Sequence, residues 1–438
     1  MRAMFSIVFF LSWNIAVVGQ AETNSETAIA EIRRLGGIVD VDMTRAEEPV
    51  VSIQFIAEGQ RVAAGMVYLK AIRGLSEIVI RSNELTDALL LDLRDLKNLT
   101  GVHLRSHRVT DAGLAHLGGL TKLRVLSLNG TQVKGPGLSH LRQARQLKRL
   151  DLYANELTDE GAAELEKLPG LEWLSLGMSR TLTDVGLSHL KPLRKLRYLS
   201  LASTNATDNG LSHLKDLSSL TELILPYTKI SDTGMVYINK LESLQMICLA
   251  DTAVSDVGLV HLANLKHLRS IDLSNTKVAG NGLTHLRALK DLEILRLNST
   301  DVSDKDLVNI RHLVRLRELS IGGTSVTGKG FANLNNLTAL EFLELDGSRF
   351  APADLLQLRR CASLKILRLG GTNLTNDGLA NLASLKKIEE LWLDNTQVTD
   401  AGLVHLVELS NLRKIHRSNT GISHEGGKTI LPNVAIVP

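Results

Sequence analysis

Apolar and polar positions follow one pattern that repeats about every 24 residues from Leu75 towards the end of the chain. Each unit has apolar residues at positions one, four and six, and variable residues at positions three, five and seven. This alternation predicts a short strand with one buried face and one open face. The fifteen units begin at Leu75, Leu99, Leu123, Leu147, Leu171, Leu196, Leu220, Leu244, Leu268, Leu292, Leu316, Leu340, Leu364, Ile388 and Leu412.

The second half of each unit predicts a short helix. Leu138 and Leu141, for example, are three residues apart, which is helical spacing. In twelve of the fifteen units a Ser or Thr, usually followed by Asp, stands just before this segment, as at Thr110 and Ser255. Because a hydroxyl acceptor and a negative charge both stabilise a helix N-terminus, we expect one strand, one turn and one short helix per unit.

Two further residue types recur at fixed phases of the unit. Glycines such as Gly137 and Gly161 stand two residues after the position that is usually Asp, and we interpret them as positions where the missing Cβ lets a helix start lie close to the next coil. A phosphate-binding loop is disfavoured because there is no Gly-rich strand-to-helix turn. Threonines such as Thr204 and Thr228 follow the strand, and we expect their hydroxyls to bond the turn backbone of neighbouring coils.

No unit can bury its leucines alone, so stacking of units into a solenoid is expected. The pattern Leu-x-x-Leu-x-Leu-x-x-Thr-x-Val-Thr-Asp-x-Gly-Leu-x-x-Leu resembles secreted bacterial leucine-rich-repeat proteins and, more distantly, ribonuclease-inhibitor-like and F-box-associated arrays. The resemblance covers Leu75 to about Ile436 and departs from the pattern at Met178, Asp306 and Phe350. It implies an α/β fold: a right-handed, curved solenoid with parallel strands on the concave face and short helices on the convex face. It also implies a binding role without shared catalytic residues.

The chain divides into three predicted regions. Residues 1–21 have a positive start, an apolar run and small residues near Ala21, which predicts a secretory signal peptide; an uncleaved membrane anchor is the alternative. Residues 22–74 are expected to form an N-terminal cap, with a helix from Ser25 to Leu35, a strand from Val50 to Phe55 and an irregular first coil. Residues 75–438 form the predicted solenoid, closed by a strand at residues 433–436.

Composition narrows the function classes. The 438 residues carry a net charge of +3, and the basic residues are spread along the chain, so nucleic acid is not an expected partner. No later segment reaches the roughly 20 apolar residues of a spanning helix. Cys248 and Cys361 are predicted to be free thiols. An exported chain without disulfides favours a secreted, periplasmic or envelope location in a bacterium.

The strand phase predicts which side chains face the open side. Aromatic and large apolar residues stand there on successive coils, although aromatic residues are only 3% of the chain. Exposed aromatics on neighbouring coils suggest a binding patch on the concave face, and scattered surface apolar residues are the alternative. The predicted partner-binding residues are Tyr153, Trp173, Tyr198, Ile224, Met246 and Trp392.

Other groups do not point to an enzyme. Glu318, Glu344 and Asp394 also occupy strand positions, but no general acid or Gly-rich ion loop accompanies them. Histidines such as His116 and His140 share one helical phase and are interpreted as a half-buried helix flank rather than a metal site. We therefore predict no catalytic residue, no metal and no cofactor.

The sequence predicts a non-enzymatic, monomeric, exported interaction scaffold that binds a protein or peptide on its concave face. Two alternatives remain. One is an intracellular substrate-recognition adaptor of a ubiquitin-ligase type complex, and the other is a passive structural component of the envelope.

Overall fold

The computed structural model describes residues 24–42, 50–56 and 61–438. The predicted signal peptide, residues 1–21, lies outside the described residues. The chain divides into two compact units, an N-terminal unit that ends at Thr181 and a C-terminal unit from Leu182 to Pro438. The domain bounds expected from the sequence stay a prediction.

The N-terminal unit contains an antiparallel pair, β1 and β2, followed by strands that add in parallel. The predicted strand at residues 50–55 is confirmed as β2, whereas β1 was not predicted. The strands are β1 Ile38–Asp42, β2 Val50–Phe55, β3 Leu75–Arg81, β4 Gly101–Arg105, β5 Val125–Ser127, β6 Arg149–Asp151 and β7 Trp173–Ser175.

The C-terminal unit is a parallel sheet in chain order, and each of its strands is three residues long. Its last strand, at residues 435–437, confirms the closing strand expected near the C-terminus. The strands are β8 Tyr198–Ser200, β9 Glu222–Ile224, β10 Met246–Cys248, β11 Ser270–Asp272, β12 Ile294–Arg296, β13 Glu318–Ser320, β14 Phe342–Glu344, β15 Ile366–Arg368, β16 Glu390–Trp392, β17 Lys414–His416 and β18 Ala435–Val437.

Short helices connect the strands, and more of them are 3-10 than α. The α-helices are Ser25–Arg34, Arg61–Met66, Asp159–Ala163, Asp184–Ser188, Asp208–Leu211, Asp232–Ile238, Asp256–Leu259, Asn376–Ala380 and His424–Ile430. The 3-10 helices are Leu69–Ala71, Asp87–Leu93, Asp111–His116, Pro136–Gln143, Glu164–Lys167, Val260–Leu262, Asn281–Ala288, Asp306–Asn309, Gly328–Leu334, Pro352–Arg360 and Asp400–Leu406. The open parallel sheet with short helices confirms the predicted α/β leucine-rich-repeat solenoid.

The core of each coil is made of the predicted leucines. In the coil that starts at Leu147, the strand residues Leu150 and Leu152 and the helix residue Leu165 are fully buried. Each such side chain contributes roughly 1.5 to 3 kcal/mol when it leaves water. The leucine positions therefore hold the stack together and leave strand positions three, five and seven for other chemistry.

The Ser/Thr–Asp motif does more than begin a helix. Ser255 accepts the N–H of Val257, which is the predicted N-cap, but its hydroxyl also donates to Asp232 Oδ2 of the preceding coil at 2.6 Å. Asp232 Oδ1 accepts the N–H groups of Ser255 and Gly258 at 2.8 and 2.9 Å. The Asp thus joins adjacent coils. The same bond from a Ser or Thr to the previous Asp recurs at Thr110, Thr207, Ser231, Thr327 and Ser423.

The recurring glycine lies where one coil contacts the Asp of the preceding coil. A Cβ at Gly258 would lie 2.5 Å from Asp232 Oδ1, closer than real Cβ atoms come. At Gly137 a Cβ would meet the backbone of Asp111. The steric interpretation of these glycines is confirmed, because the carboxylate that binds the helix start occupies the space of a side chain.

Threonine hydroxyls such as those of Thr204 and Thr228 do not bridge coils as expected. Thr204 and Thr228 donate to carbonyl groups three residues earlier in their own coils, at 2.7 and 2.6 Å. Asn155 makes the expected bridge, since its amide donates to Leu128 O and its Oδ1 accepts from Thr131 of the preceding coil. The prediction was wrong for Thr204 and Thr228, whose short side chains bond carbonyl groups of their own coils, whereas the Thr131 hydroxyl bonds across coils to the side chain of Asn155.

Among the residues that the structure describes, no helix is both long and apolar enough to cross a bilayer. Cys248 and Cys361 are free thiols, as predicted. Burial raises the pKa of each thiol to about 11, so both are protonated at neutral pH.

Candidate functional site

Within each unit, strand positions three and five form two parallel columns on the open face of the sheet. Within the C-terminal unit, position five runs through Arg368, Trp392 and His416 on β15, β16 and β17, which are direct Cα partners. Within the N-terminal unit, position three includes Arg149 and Trp173 on β6 and β7. Side chains one coil apart are therefore within contact distance, and each side chain of a column can interact with the side chains at the same position of the adjacent coils.

Trp392 lies in a three-layer stack on the open face. The Arg368 guanidinium carbon is 4.5 Å from the centroid of the Trp392 ring, and the His416 ring is stacked on Trp392 with centroids 3.5 Å apart and planes 12° apart. Trp392 remains half-buried, so one part of the ring faces solvent. The flanking cation and imidazole hold the indole in one orientation.

Carboxylates fix both outer layers of this stack. Arg368 Nε donates to Asp346 Oδ2 at 2.9 Å, and His416 Nε2 lies 2.7 Å from Glu390 Oε1. Burial raises the pKa of Asp346 against the opposing effect of the Arg368 charge. The stack is thus held by side chains of four consecutive coils.

A second arginine of this unit is paired in the same way. Arg296 Nε donates to Glu318 Oε1 at 2.6 Å, and Asp272 lies 3.8 Å away. Burial alone would lower the pKa of Arg296, but the hydrogen bond to Glu318 raises this pKa above its ordinary value. The carboxylates of this face bind arginines and backbone N–H groups, an arrangement that suits structure rather than acid–base catalysis.

The predicted aromatic residues of the N-terminal unit also lie on its open face. The Arg149 guanidinium carbon lies 3.8 Å from the centroid of the Trp173 ring. Tyr153, four residues after Arg149, is 37% exposed. Trp173 is half-buried, and the predicted role of both aromatic residues in binding stays a prediction.

In the C-terminal unit, Tyr198, Ile224 and Met246 are half-buried on β8, β9 and β10. Tyr198 and Met246 share column three, but the Glu222 carboxylate stands between them as the Cα partner of both. Ile224 lies in column five beside Cys248. The structure therefore places these apolar side chains on one face with an acidic residue among them.

Sequence reasoning missed His416 and did not single out Arg81 and Arg105, which are neighbours on β3 and β4. His416 follows Trp392 at the same repeat position, so a comparison of equal positions in successive units would have found the stack. In the described part of the chain, no group of His, Cys, Asp and Glu side chains is arranged to hold a metal ion. The helix-phase histidines such as His116 are half-buried, and burial lowers the pKa of His213.

Comparison with known proteins supports the repeat and the fold. A leucine-rich-repeat family model matches residues 360–383, and no curated protein matches the chain. An internalin of Listeria monocytogenes has 22% identity and a TM-score of 0.56 over 80% of this chain and 88% of its own. A leucine-rich-repeat protein of Leptospira interrogans has 21% identity and a TM-score of 0.59 over 87% and 93%.

A further solved structure with this fold is the TLR13–ssRNA13 complex, with 17% identity and a TM-score of 0.52 over 85% of this chain and 63% of that one. At these identities the likeness shows the fold alone. Together with the repeat match, it supports a leucine-rich-repeat protein.

Proposed function

We propose that this chain is a non-enzymatic, exported interaction scaffold that binds a protein or peptide on the open strand face. The observation that carries the proposal is the half-buried Trp392 between Arg368 and His416. Large aromatic side chains beside arginine supply much of the binding energy in protein interfaces. Because the stack already fixes the indole, little side-chain entropy is lost when a partner binds.

A protein partner fits the face better than a nucleic acid. The TLR13–ssRNA13 complex shows that the fold itself can accompany RNA. Here, however, Arg296 and Arg368 are paired with carboxylates, and Glu344 and Glu390 add negative charge on neighbouring strands. Such a face repels a phosphate backbone and accepts the mixed charges of a polypeptide.

Capture by the immobilised full chain from an envelope extract of the producing cells tests the binding role. We expect proteins that wild type enriches to fall at least fivefold with Trp392→Ala, and to fall also with Trp173→Ala or Tyr198→Ala. Tyr237→Ala, on the helix Asp232–Ile238, removes an aromatic ring away from the strand face and serves as the matched control. An identical set of proteins on all of these variants would contradict the proposal and favour a passive envelope component.

Export is tested separately by N-terminal sequencing of the protein recovered from the producing cells. A mature chain that starts at Glu22 supports the predicted cleavage after Ala21. An intact Met1 in the cytosolic fraction would contradict export and favour the intracellular adaptor.

A further inference from the structure

The open face of the N-terminal unit contains a depression of about 440 Å³ that no predicted role uses. It lies over β2 to β6 and is partly open to solvent, so a segment of extended chain can enter it. The side chains that matter for its chemistry are Gln54, Glu77, Arg81, His103, Arg105 and Asp151. We call this site the N-terminal depression.

Two arginines stand side by side at one edge of the N-terminal depression. Arg81 and Arg105 are direct Cα partners on β3 and β4, so their backbones are about 4.8 Å apart. Both side chains are exposed, and in the part of the chain that the structure describes neither guanidinium has a carboxylate or another hydrogen-bond partner. Two adjacent unpaired guanidinium groups offer parallel N–H donors to one planar oxyanion.

The other walls carry carboxylates that already have partners of their own. Glu77 lies 3.1 Å from His103 Nε2. Asp151 accepts the Tyr153 N–H at 3.1 Å and the Ser127 hydroxyl at 3.4 Å. Because each carboxylate oxygen has two lone pairs, both groups can still accept N–H donors from a ligand.

This arrangement distinguishes between anionic ligands. A phosphate dianion held by Arg81 and Arg105 would face Glu77 and Asp151 across the same depression, and the repulsion would oppose its binding. A peptide carboxylate has a single charge, and the amide N–H groups beside it can donate to those two carboxylates. The depression therefore favours a carboxylate carried on a polypeptide over a free phosphate.

We propose that the N-terminal depression binds an acidic segment of a partner polypeptide, with a Glu or Asp side chain held by Arg81 and Arg105. The inference rests on the proposed scaffold function and specifies the chemistry of one part of the partner. It concerns the N-terminal unit alone and does not depend on the Trp392 stack.

Binding of two short peptides to the full chain tests the inference. The probes are fluorescently labelled Ala-Glu-Ala-Glu-Ala and its neutral counterpart Ala-Gln-Ala-Gln-Ala, titrated by anisotropy at low ionic strength. We expect wild type to bind the Glu peptide at least tenfold more tightly, because its carboxylates accept charge-assisted hydrogen bonds from the guanidinium groups and the neutral amides do not. Equal affinity for the two peptides would overturn the inference.

Variants show whether the two guanidinium groups are responsible. Arg81→Gln/Arg105→Gln is expected to remove the tenfold preference, and Arg81→Lys/Arg105→Lys to keep part of it, since Lys retains the charge without the fork of donors. Arg108→Gln removes an equal charge from an exposed side chain outside the depression and is the control. If Arg108→Gln loses the preference for the Glu peptide to the same extent, the assignment of the site to Arg81 and Arg105 is overturned.

Competition with inorganic phosphate distinguishes a peptide carboxylate from a free phosphate as the ligand. If phosphate displaces the labelled Glu peptide at a lower concentration than the unlabelled Glu peptide does, the depression binds free phosphate and the proposal is contradicted. If the peptide preference is absent while Trp392→Ala still abolishes partner capture, the inference fails and the scaffold function stands. If the preference is present while capture is unaffected by all face variants, the function proposed for the strand face fails.

Discussion

The strand faces of the two units hold their arginines in opposite states. In the C-terminal unit Arg368 is bonded to Asp346, and Arg296 is bonded to Glu318. In the N-terminal unit Arg81 and Arg105 stand beside each other without such partners among the described residues. The two pairs occupy different positions of the unit, position five for Arg296 and Arg368 and position seven for Arg81 and Arg105, and their neighbours on adjacent coils differ. Arg296 and Arg368 each bond a carboxylate of an adjacent coil, whereas the neighbour of Arg81 on the adjacent coil is Arg105.

Truncation of the core should have the largest effect, and it should be similar in both units if their cores are equivalent. Leu126→Ala in the N-terminal unit and Leu343→Ala in the C-terminal unit each remove a fully buried strand leucine. We expect each change to lower the free energy of unfolding of its unit by about 2 to 5 kcal/mol, measured by urea titration. A negligible effect in one unit would show that the cores are not equivalent.

The connection between coils should have the next largest effect. Asp232→Ala leaves the N–H groups of Ser255 and Gly258 and the Ser255 hydroxyl without their acceptor. We expect a loss of about 1 to 3 kcal/mol in the same urea titration. Asp216→Ala, at an exposed aspartate, is the control and should change stability by less than about 0.5 kcal/mol. Similar effects at both positions would argue against the inter-coil role.

Replacing one arginine in each unit sharpens the comparison itself. Arg368→Gln leaves the partly buried Asp346 carboxylate without its cation and should cost about 1 to 2 kcal/mol of unfolding free energy. Arg105→Gln should leave stability unchanged, because its guanidinium binds nothing in the described part of the chain. Thermal and urea unfolding at neutral pH measure both variants. A larger effect at Arg105 than at Arg368 would reverse the assignment of structural and ligand-binding arginines.

The smallest expected effect concerns pH. Hydrogen bonds from Lys365 and Arg317 lower the pKa of Glu341 below its ordinary value of 4.5. A lowered carboxyl pKa means that its stabilisation is complete above the unfolded-state value and is lost as pH falls through the folded-state value. Glu341→Gln should therefore flatten the loss of stability on acidification below about pH 4.5. If the free energy of unfolding of Glu341→Gln falls with acidification as steeply as that of wild type, the stabilising role of Glu341 is contradicted.

The fold followed from the sequence because leucine spacing is a local property of each unit. Strand phase, helix starts and the steric role of Gly258 are all determined within one coil or between neighbouring coils. β1 was missed because its pairing with β2 is set by tertiary contacts. The direction of the Thr204 hydroxyl bond was missed because it depends on side-chain reach.

The candidate site was predictable only in part. The phase of the repeat predicted that Trp392 would lie on the open face, as the structure shows. The stack with Arg368 and His416 depends on the direction that each side chain takes across coils, and so does the lack of a side-chain partner for Arg81 and Arg105 among the described residues. Periodicity identifies which residues share a face, but it does not say which of them bind one another.

The antiparallel direction of β1 has a consequence for self-association. Every other strand of the N-terminal unit runs parallel to its neighbour, and a free parallel edge would present the hydrogen-bond pattern that the first coil of another copy matches. β1 reverses this pattern at Ile38–Asp42. A second copy that stacked on this edge with its strands in the direction of the repeat would therefore pair antiparallel to β1, so the parallel ladder of the coils does not continue past β2.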